Sequence, residues 1–179
     1  MEYKLLIKKA KKGDKEALLR LIMDKQADYY KLAYVYLRNK EDALDALQDM
    51  IIALYQNISK LKKEESFYSW SKTILVNCCK HKLRSQNKTA WLITSLEQAT
   101  DATVDGLYAE SEDKIVLEKH LSGLSEIHQE VIRLKFFLDM DYQTIADILQ
   151  IPVGTVKSRL NLGLKKLKDS FGGEINGEV

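Results

Sequence analysis

The stretch Tyr142–Lys168, YQTIADILQIPVGTVKSRLNLGLKKLK, leaves the chain little freedom in how it folds. Ile145, Ala146 and Leu149 give a short first helix one apolar side. Gln150 and Ile151 turn the chain. Pro152, its single proline, stands at the start of a second helix, where its missing N–H is not needed. Val153, Val156, Leu160 and Leu167 then recur at helical spacing as one apolar stripe. Thr155, Ser158, Leu162 and Lys165 fall on the opposite side, flanked by Lys157 and Asn161. No acid occurs between Asp147 and Asp169, whereas Lys157, Arg159, Lys165, Lys166 and Lys168 do. Two short helices, the second basic and polar on its free face, describe a helix-turn-helix that places its second helix in the DNA major groove. An ordinary helical hairpin with a solvated basic side would carry the same pattern.

The rest of the chain agrees with an all-helical protein. Glycine is sparse, and no strand-like alternation stands out. A net charge of +2 over 179 residues is too small for a general polyanion binder, but the charge is segregated. A second acid-free window lies between Glu65 and Glu97 and contains Lys72, Lys80, Lys82, Arg84 and Lys88. Two local basic faces imply two places where phosphate is met. Cys78 and Cys79 are helical neighbours that point apart, so two reduced thiols are expected, with neither a disulfide nor a metal site. The opening residues lack the apolar run of a signal peptide, and no stretch reaches the roughly 18–20 apolar residues of a membrane span. A cytoplasmic protein is expected.

Taken in order, Glu2–Lys12 reads as a short basic helix broken at Gly13, with Asp14 capping the next helix. Leu18, Leu19, Leu21 and Ile22 mark that helix as core, and the tyrosine-rich Gln26–Leu37 reads as a further core helix. Asn39 caps Glu41–Ile58, where Leu44, Leu47, Ile51, Leu54 and Ile58 form one stripe. Asp45, Gln48, Asp49 and Ile52 cluster outward; such a face is usually just solvated, but an exposed Ile52 beside carboxylates fits docking on another helical surface. Ser66–Lys88 joins Phe67 and Trp70 to an acid-free basic helix, which fits stacking on unpaired bases as well as plain core packing. Residues 89–110 lose helical periodicity and read as a flexible linker, roughly 27 Å long as a free coil. Ser111–Leu121 reads as a helix capped by Ser111, and Ser125 caps Glu126–Leu138, with Val131, Ile132, Leu134, Phe136 and Phe137 as core. The boundaries are thus an N-terminal helical domain over 1–88, a linker over 89–110, a C-terminal helix-turn-helix domain over 111–171 and a frayed tail over 172–179.

Catalysis finds little support. His81, His120 and His128 are scattered, and there is no phosphate loop, no spaced metal-ligand set and no placed acid–base pair. No cofactor, metal or small-molecule substrate is expected.

The segment from Leu121 to Lys168, and above all PVGTVKSRL (Pro152–Leu160), resembles the promoter-reading domain of bacterial sigma factors of the extracytoplasmic-function (ECF) group. EDALDALQDMIIALYQNI (Glu41–Ile58) and FYSWSKTILVNCCKHKLRS (Phe67–Ser85) resemble the core domain of the same group, so the likeness spans almost the whole chain. The resemblance implies that Asp45, Gln48, Asp49 and Ile52 dock on a coiled coil of core RNA polymerase. It implies that Trp70, Lys72, Thr73, Asn77, Lys80, Lys82 and Arg84 meet the minus-ten promoter element and help capture a melted base. It implies that Thr155, Lys157, Ser158, Arg159, Asn161 and Lys165 read or clamp the minus-thirty-five element. It further implies an anti-sigma partner, often membrane-bound, and a role in envelope or extracellular stress. The chain departs from the family pattern at His81, where the family usually has Asp, and at Leu162 and Leu164, where many members are polar. Gly163 replaces a common Ala and is expected to weaken the helix by up to ~1 kcal/mol. The alternative is a conventional helix-turn-helix regulator, which would bind duplex without polymerase.

Overall fold

The computed structural model describes residues 2–94 and 112–175, and these are almost entirely helical. The chain divides into two compact units, Met1–Thr103 and Val104–Val179. The first holds α1 (Glu2–Lys11), α2 (Lys15–Met23), α3 (Gln26–Leu37), α4 (Lys40–Asn57) and α5 (Phe67–Thr94), with two short 3₁₀ turns between α4 and α5. The second holds α6 (Glu112–Ser122), α7 (Glu126–Ile132), α8 (Tyr142–Leu149) and α9 (Val153–Ile175).

In the first unit α3, α4 and α5 pack on one another, and α1 and α2 form a hairpin at their side. The core is built from Leu18, Leu21, Tyr29, Leu32, Met50, Leu54, Phe67 and Leu75, all buried. Caps fix where the helices begin. Asp14 Oδ1 accepts from Ala17 N at 3.0 Å, and Asn39 Oδ1 accepts from Asp42 N at 3.0 Å, each satisfying one orphan amide at a helix start, worth about 1 kcal/mol. α3 ends where Arg38 takes a left-handed conformation, φ 57°, and its N–H returns to Tyr34 O. Tyr29 Oη shares a 2.7 Å hydrogen bond with Ser71 Oγ in the core, joining α3 to α5.

The apolar stripe of α4 differs from the one the spacing predicts. Ala43, Ala46, Leu47, Met50 and Leu54 are buried, while Leu44 is 41% exposed. Small alanines line the seam because they let neighbouring helices approach closely, a preference that hydrophobic size alone does not register. α5 also runs on to Thr94, so the first residues of the stretch read as a linker have helical backbone. Residues 95–110, the Ser111 cap and the tail beyond 175 lie outside the described residues.

In the second unit α9 is the element that α6, α7 and α8 all touch. Val131, Ile132, Leu134, Ile145, Ile148, Val156 and Leu160 are its core. On α8 it is Ile148, not Leu149, that is fully buried beside Ile145 and Ala146. Phe136 and Phe137, expected in the core, are 58% and 43% exposed. The reason is local: α7 stops at Ile132 and the chain continues as a wider π turn over Arg133–Phe137. A π turn takes up an additional residue, so a periodicity extrapolated from Val131 turns the two rings outward. Arg133 lies 5.8 Å over the Phe137 ring and makes a two-point bond to Glu118 of α6, at 3.2 and 2.9 Å.

Candidate functional site

Three outward helix faces carry most of the residues singled out from the sequence. An α-helix turns by about 100° per residue, which fixes which side chains share a face.

On α4, Asp45, Gln48, Asp49 and Ile52 fall within about 100° of arc, opposite the buried Ala43, Met50 and Leu54. All four are exposed, Ile52 at 56%. Leu44 and Tyr55, exposed on one flank of the arc, widen its apolar part; sequence periodicity had placed Leu44 in the core and passed over Tyr55. The face is therefore acidic and apolar together, a combination suited to a basic amphipathic helix.

On α5, Trp70, Thr73, Asn77, Lys80 and Arg84 share an arc of about 80°. Asn77 and Arg84 are exposed; Trp70, Thr73 and Lys80 are half-buried. The Trp70 ring lies 6.4 Å from that of Phe67, which is fully buried and anchors the start of the helix. Thr73 Oγ1 donates to Ser69 O at 3.0 Å. Two candidates leave this stripe. Lys72 points about 120° from its centre and Lys82 about 160°. Lys82 Nζ instead bonds Asp45 Oδ2 at 2.7 Å and Asp42 Oδ1 at 3.1 Å on α4. Gln86 Nε2, one turn on, donates to Asp42 Oδ2 at 2.8 Å. Asp42 and Gln86 were not singled out from the sequence; Asp42–Asp45 and Lys82–Gln86 each have helical spacing, but that spacing does not say that the two pairs meet. Next to this seam, burial pushes the Cys79 thiol up to about 12, and burial together with the Asp49 charge raises Cys78. Both stay protonated thiols of low reactivity.

On α9, Thr155, Ser158, Leu162 and Lys165 share an outward arc of about 80°, opposite Val156 and Leu160. Lys157 and Asn161 flank it on one side and Arg159 on the other. Lys157, Ser158, Asn161 and Lys165 are exposed, and Thr155 and Arg159 are half-buried. Leu162, in the middle of the arc, is 53% exposed. The turn before α9 is held by Gln150 in a left-handed conformation, φ 57°, and α9 opens with amides of Thr155 and Val156 bonded to Pro152 O. α8 is set by Asp141, which accepts from Thr144 N at 2.9 Å and from Thr144 Oγ1 at 2.7 Å. Those bonds hold the Asp141 carboxyl below its ordinary pKa. The Lys157 ammonium sits 5.6 Å from the ring of Tyr142 on α8, so the ring steers one of the candidate cations.

Among the described residues no group of His, Cys, Asp and Glu could hold a metal ion, and no helix is long and apolar enough to cross a membrane. His120 and His128 are core residues. His120 Nδ1 lies 2.6 Å from Ser170 Oγ, and His128 Nδ1 lies 2.8 Å from Ser125 Oγ. Ser125 thus holds the cap position of α7 but spends its hydroxyl on the imidazole rather than on a backbone amide.

Known proteins resemble this chain. Residues 21–89 match the sequence profile of sigma-70 region 2, and residues 115–167 match that of sigma-70 region 4. The chain is similar to the RNA polymerase sigma factor SigV of Bacillus subtilis, with 31% identity over 163 residues, covering 89% of this chain and 94% of that protein. It is similar to the ECF RNA polymerase sigma factor SigW of the same organism, with 28% identity over 181 residues, covering 94% of this chain and 96% of that protein. Among solved structures, the chain shares its fold with CnrH, solved in complex with the cytosolic domain of CnrY (TM-score 0.67, 18% identity, 97% of this chain and 99% of that one). It also shares its fold with the sigma factor RpoE of Bartonella quintana, solved with the anti-sigma factor NepR (TM-score 0.63, 19% identity, 84% of this chain and 93% of that one).

Proposed function

The chain belongs to the extracytoplasmic-function group of the sigma-70 family of RNA polymerase sigma factors, and from that premise we propose how its three faces divide the work of starting transcription. As an alternative sigma factor it binds core RNA polymerase and directs initiation at specific promoters, in the setting of a stress response. The α4 face, Asp45, Gln48, Asp49 and Ile52, takes the polymerase: its carboxylates meet basic side chains, and Ile52 supplies apolar contact at the centre. The α5 stripe from Trp70 to Arg84 takes the minus-ten element. Trp70 offers a ring to an unpaired base, Asn77 offers an amide to a base edge, and Lys80 and Arg84 neutralise phosphate. The α9 face takes the minus-thirty-five duplex. Ser158, Thr155 and Asn161 present groups to base edges in the major groove, while Lys157, Arg159 and Lys165 fix register on the phosphates.

The observation that carries this assignment is that the α4 set, the α5 stripe Trp70, Thr73, Asn77, Lys80 and Arg84, and the α9 arc Thr155, Ser158, Leu162 and Lys165 each lie opposite their own buried stripe. Near-neutral net charge limits what the chain can do alone, since non-specific affinity rests on phosphate neutralisation, so polymerase supplies much of the hold on DNA. The chain works in the cytoplasm as an initiation factor without chemistry of its own. An anti-sigma protein is the expected antagonist, because among the similar solved structures CnrH was captured with the cytosolic domain of CnrY and RpoE with the anti-sigma factor NepR. The test is run-off transcription with purified core enzyme on genomic fragments. Discrete new start sites that require this chain support the assignment. Sequence-specific duplex binding as a dimer, with no association with core enzyme, would instead make it a conventional regulator.

A further inference from the structure

Lys82 carries a positive charge on the helix assigned to the minus-ten element, yet it does not stand with the other candidates. It follows Leu75 and Cys79 at steps of four and three, which puts it on the buried side of α5 that packs against α4. Its side chain is only 22% exposed and reaches two carboxylates, Asp45 at 2.7 Å and Asp42 at 3.1 Å. Gln86 holds the other oxygen of Asp42. Asp42 is 23% exposed, so it lies within the seam, whereas Asp45 is 60% exposed and belongs to the docking face. The hydrogen bond that Lys82 donates to Asp45 raises the Lys82 pKa above its ordinary value against the opposing effect of burial, so the ammonium remains charged.

We propose that Lys82 is a positioning residue for polymerase docking rather than a promoter contact: with Gln86 it clasps Asp42 and Asp45 and fixes the α4 face on the α5 scaffold. Turning Lys82 toward DNA would strip the half-buried Asp42 of its cation, leaving a desolvated carboxylate with only an amide partner. An outward Asp45 held by one oxygen keeps its second oxygen, at a fixed position, for a basic group on the polymerase. The clasp also makes docking and promoter capture share one helix, since any shift of α4 on binding pulls on α5 within a turn of Arg84. This inference rests on the assignment of the α4 face to core polymerase made above.

The test uses the full chain with core polymerase and a fork promoter carrying a single-stranded minus-ten segment. Lys82→Met keeps the aliphatic stem and removes the cation. It is expected to weaken core binding about tenfold, while the salt slope of promoter binding by the assembled holoenzyme stays at the wild-type value. Lys82→Arg, which can still bond both carboxylates, restores core binding. Asp42→Asn breaks the clasp from a side chain outside the docking set and is expected to reproduce the Lys82→Met loss, which also covers the case in which Lys82→Met folds poorly. A fall of about 0.7 in the salt slope for Lys82→Met with core binding unchanged would make Lys82 a phosphate contact and overturn the proposal. Unchanged behaviour in both assays would overturn it as well. If the wild-type chain itself does not bind core polymerase, it is the docking assignment that fails, and the variants are not needed to see it.

Discussion

Gly163 shows how a residue that looks like a defect earns its place. Glycine inside a helix costs up to ~1 kcal/mol relative to alanine. In α9, however, a Cβ at this position would stand 3.0 Å from Ile132 Cδ1 and 3.1 Å from His128 Cβ. The Ile132 methyl can give way; the His128 Cβ moves only with α7. Gly163→Ala is therefore expected to lower thermal stability despite its better propensity, and Gly163→Leu to lower it by about 1–3 kcal/mol or more through overpacking. Thermal melts of the two variants check this, and a stabilised alanine variant would mean that α7 can retreat. Asp141 is the second residue whose weight is local. Asp141→Ala deletes both bonds to Thr144 and should cost about 1 kcal/mol, with Asp141→Asn recovering most of it, measured by denaturant unfolding.

At the scale of the element, α9 is a rod with one dry side and one wet side, and the DNA contact proposed for it uses the wet side. Lys157 and Lys165 are exposed there, so replacing either with alanine should reduce the slope of log affinity against log salt by about 0.9 for minus-thirty-five duplex. The loss should be nearly uniform across sequences, because phosphate contacts carry no base identity. Leu162→Arg is expected to have the opposite effect, steepening the slope by a similar amount, since it puts a cation at the centre of the outward arc. Filter binding or fluorescence titration over a salt series separates these outcomes. The π turn after α7 is the element that pattern could not supply. Nothing in LKFFLDMD announces a wider turn, and the two phenylalanines look like core until the geometry turns them outward.

Across the whole molecule the proposed division of work places core docking in the first unit and minus-thirty-five recognition in the second, so mutations in the two should separate. Asp49→Ala is expected to lose core binding while the α9 unit still recognises duplex; Lys157→Ala should keep core binding and lose promoter use. Equal loss of both activities in each variant would contradict the division of faces. The units should also differ in response to pH. Burial, then the charges of Lys166 and Arg159, lower the His128 pKa, so the folded unit keeps this imidazole neutral to a lower pH than the unfolded chain does. As pH falls below the ordinary histidine value near 6.5, the unfolded chain takes up the proton first. The stabilisation is present above that value and is lost below it. Amide exchange in α7 and α9 of the full chain, corrected for intrinsic rates, should show protection falling between about pH 7.5 and 5.5, and His128→Gln should flatten the trend.

What the amino-acid order determined by itself is the set of short-range choices: the all-helical character, the Asp14 and Asn39 starts, the Gln150–Pro152 turn and the free face of α9. Each depends on residues a few positions apart, and periodicity and capping chemistry act over that range. Only the tertiary structure decided that alanines rather than Leu44 line the α4 seam, that Gly163 is where α7 and α9 meet, and that Lys82 belongs to Asp42 and Asp45. Those outcomes turn on which helix lies against which. Residues some forty positions apart in the chain meet there at bonding distance, and helical spacing within one segment carries no record of that encounter.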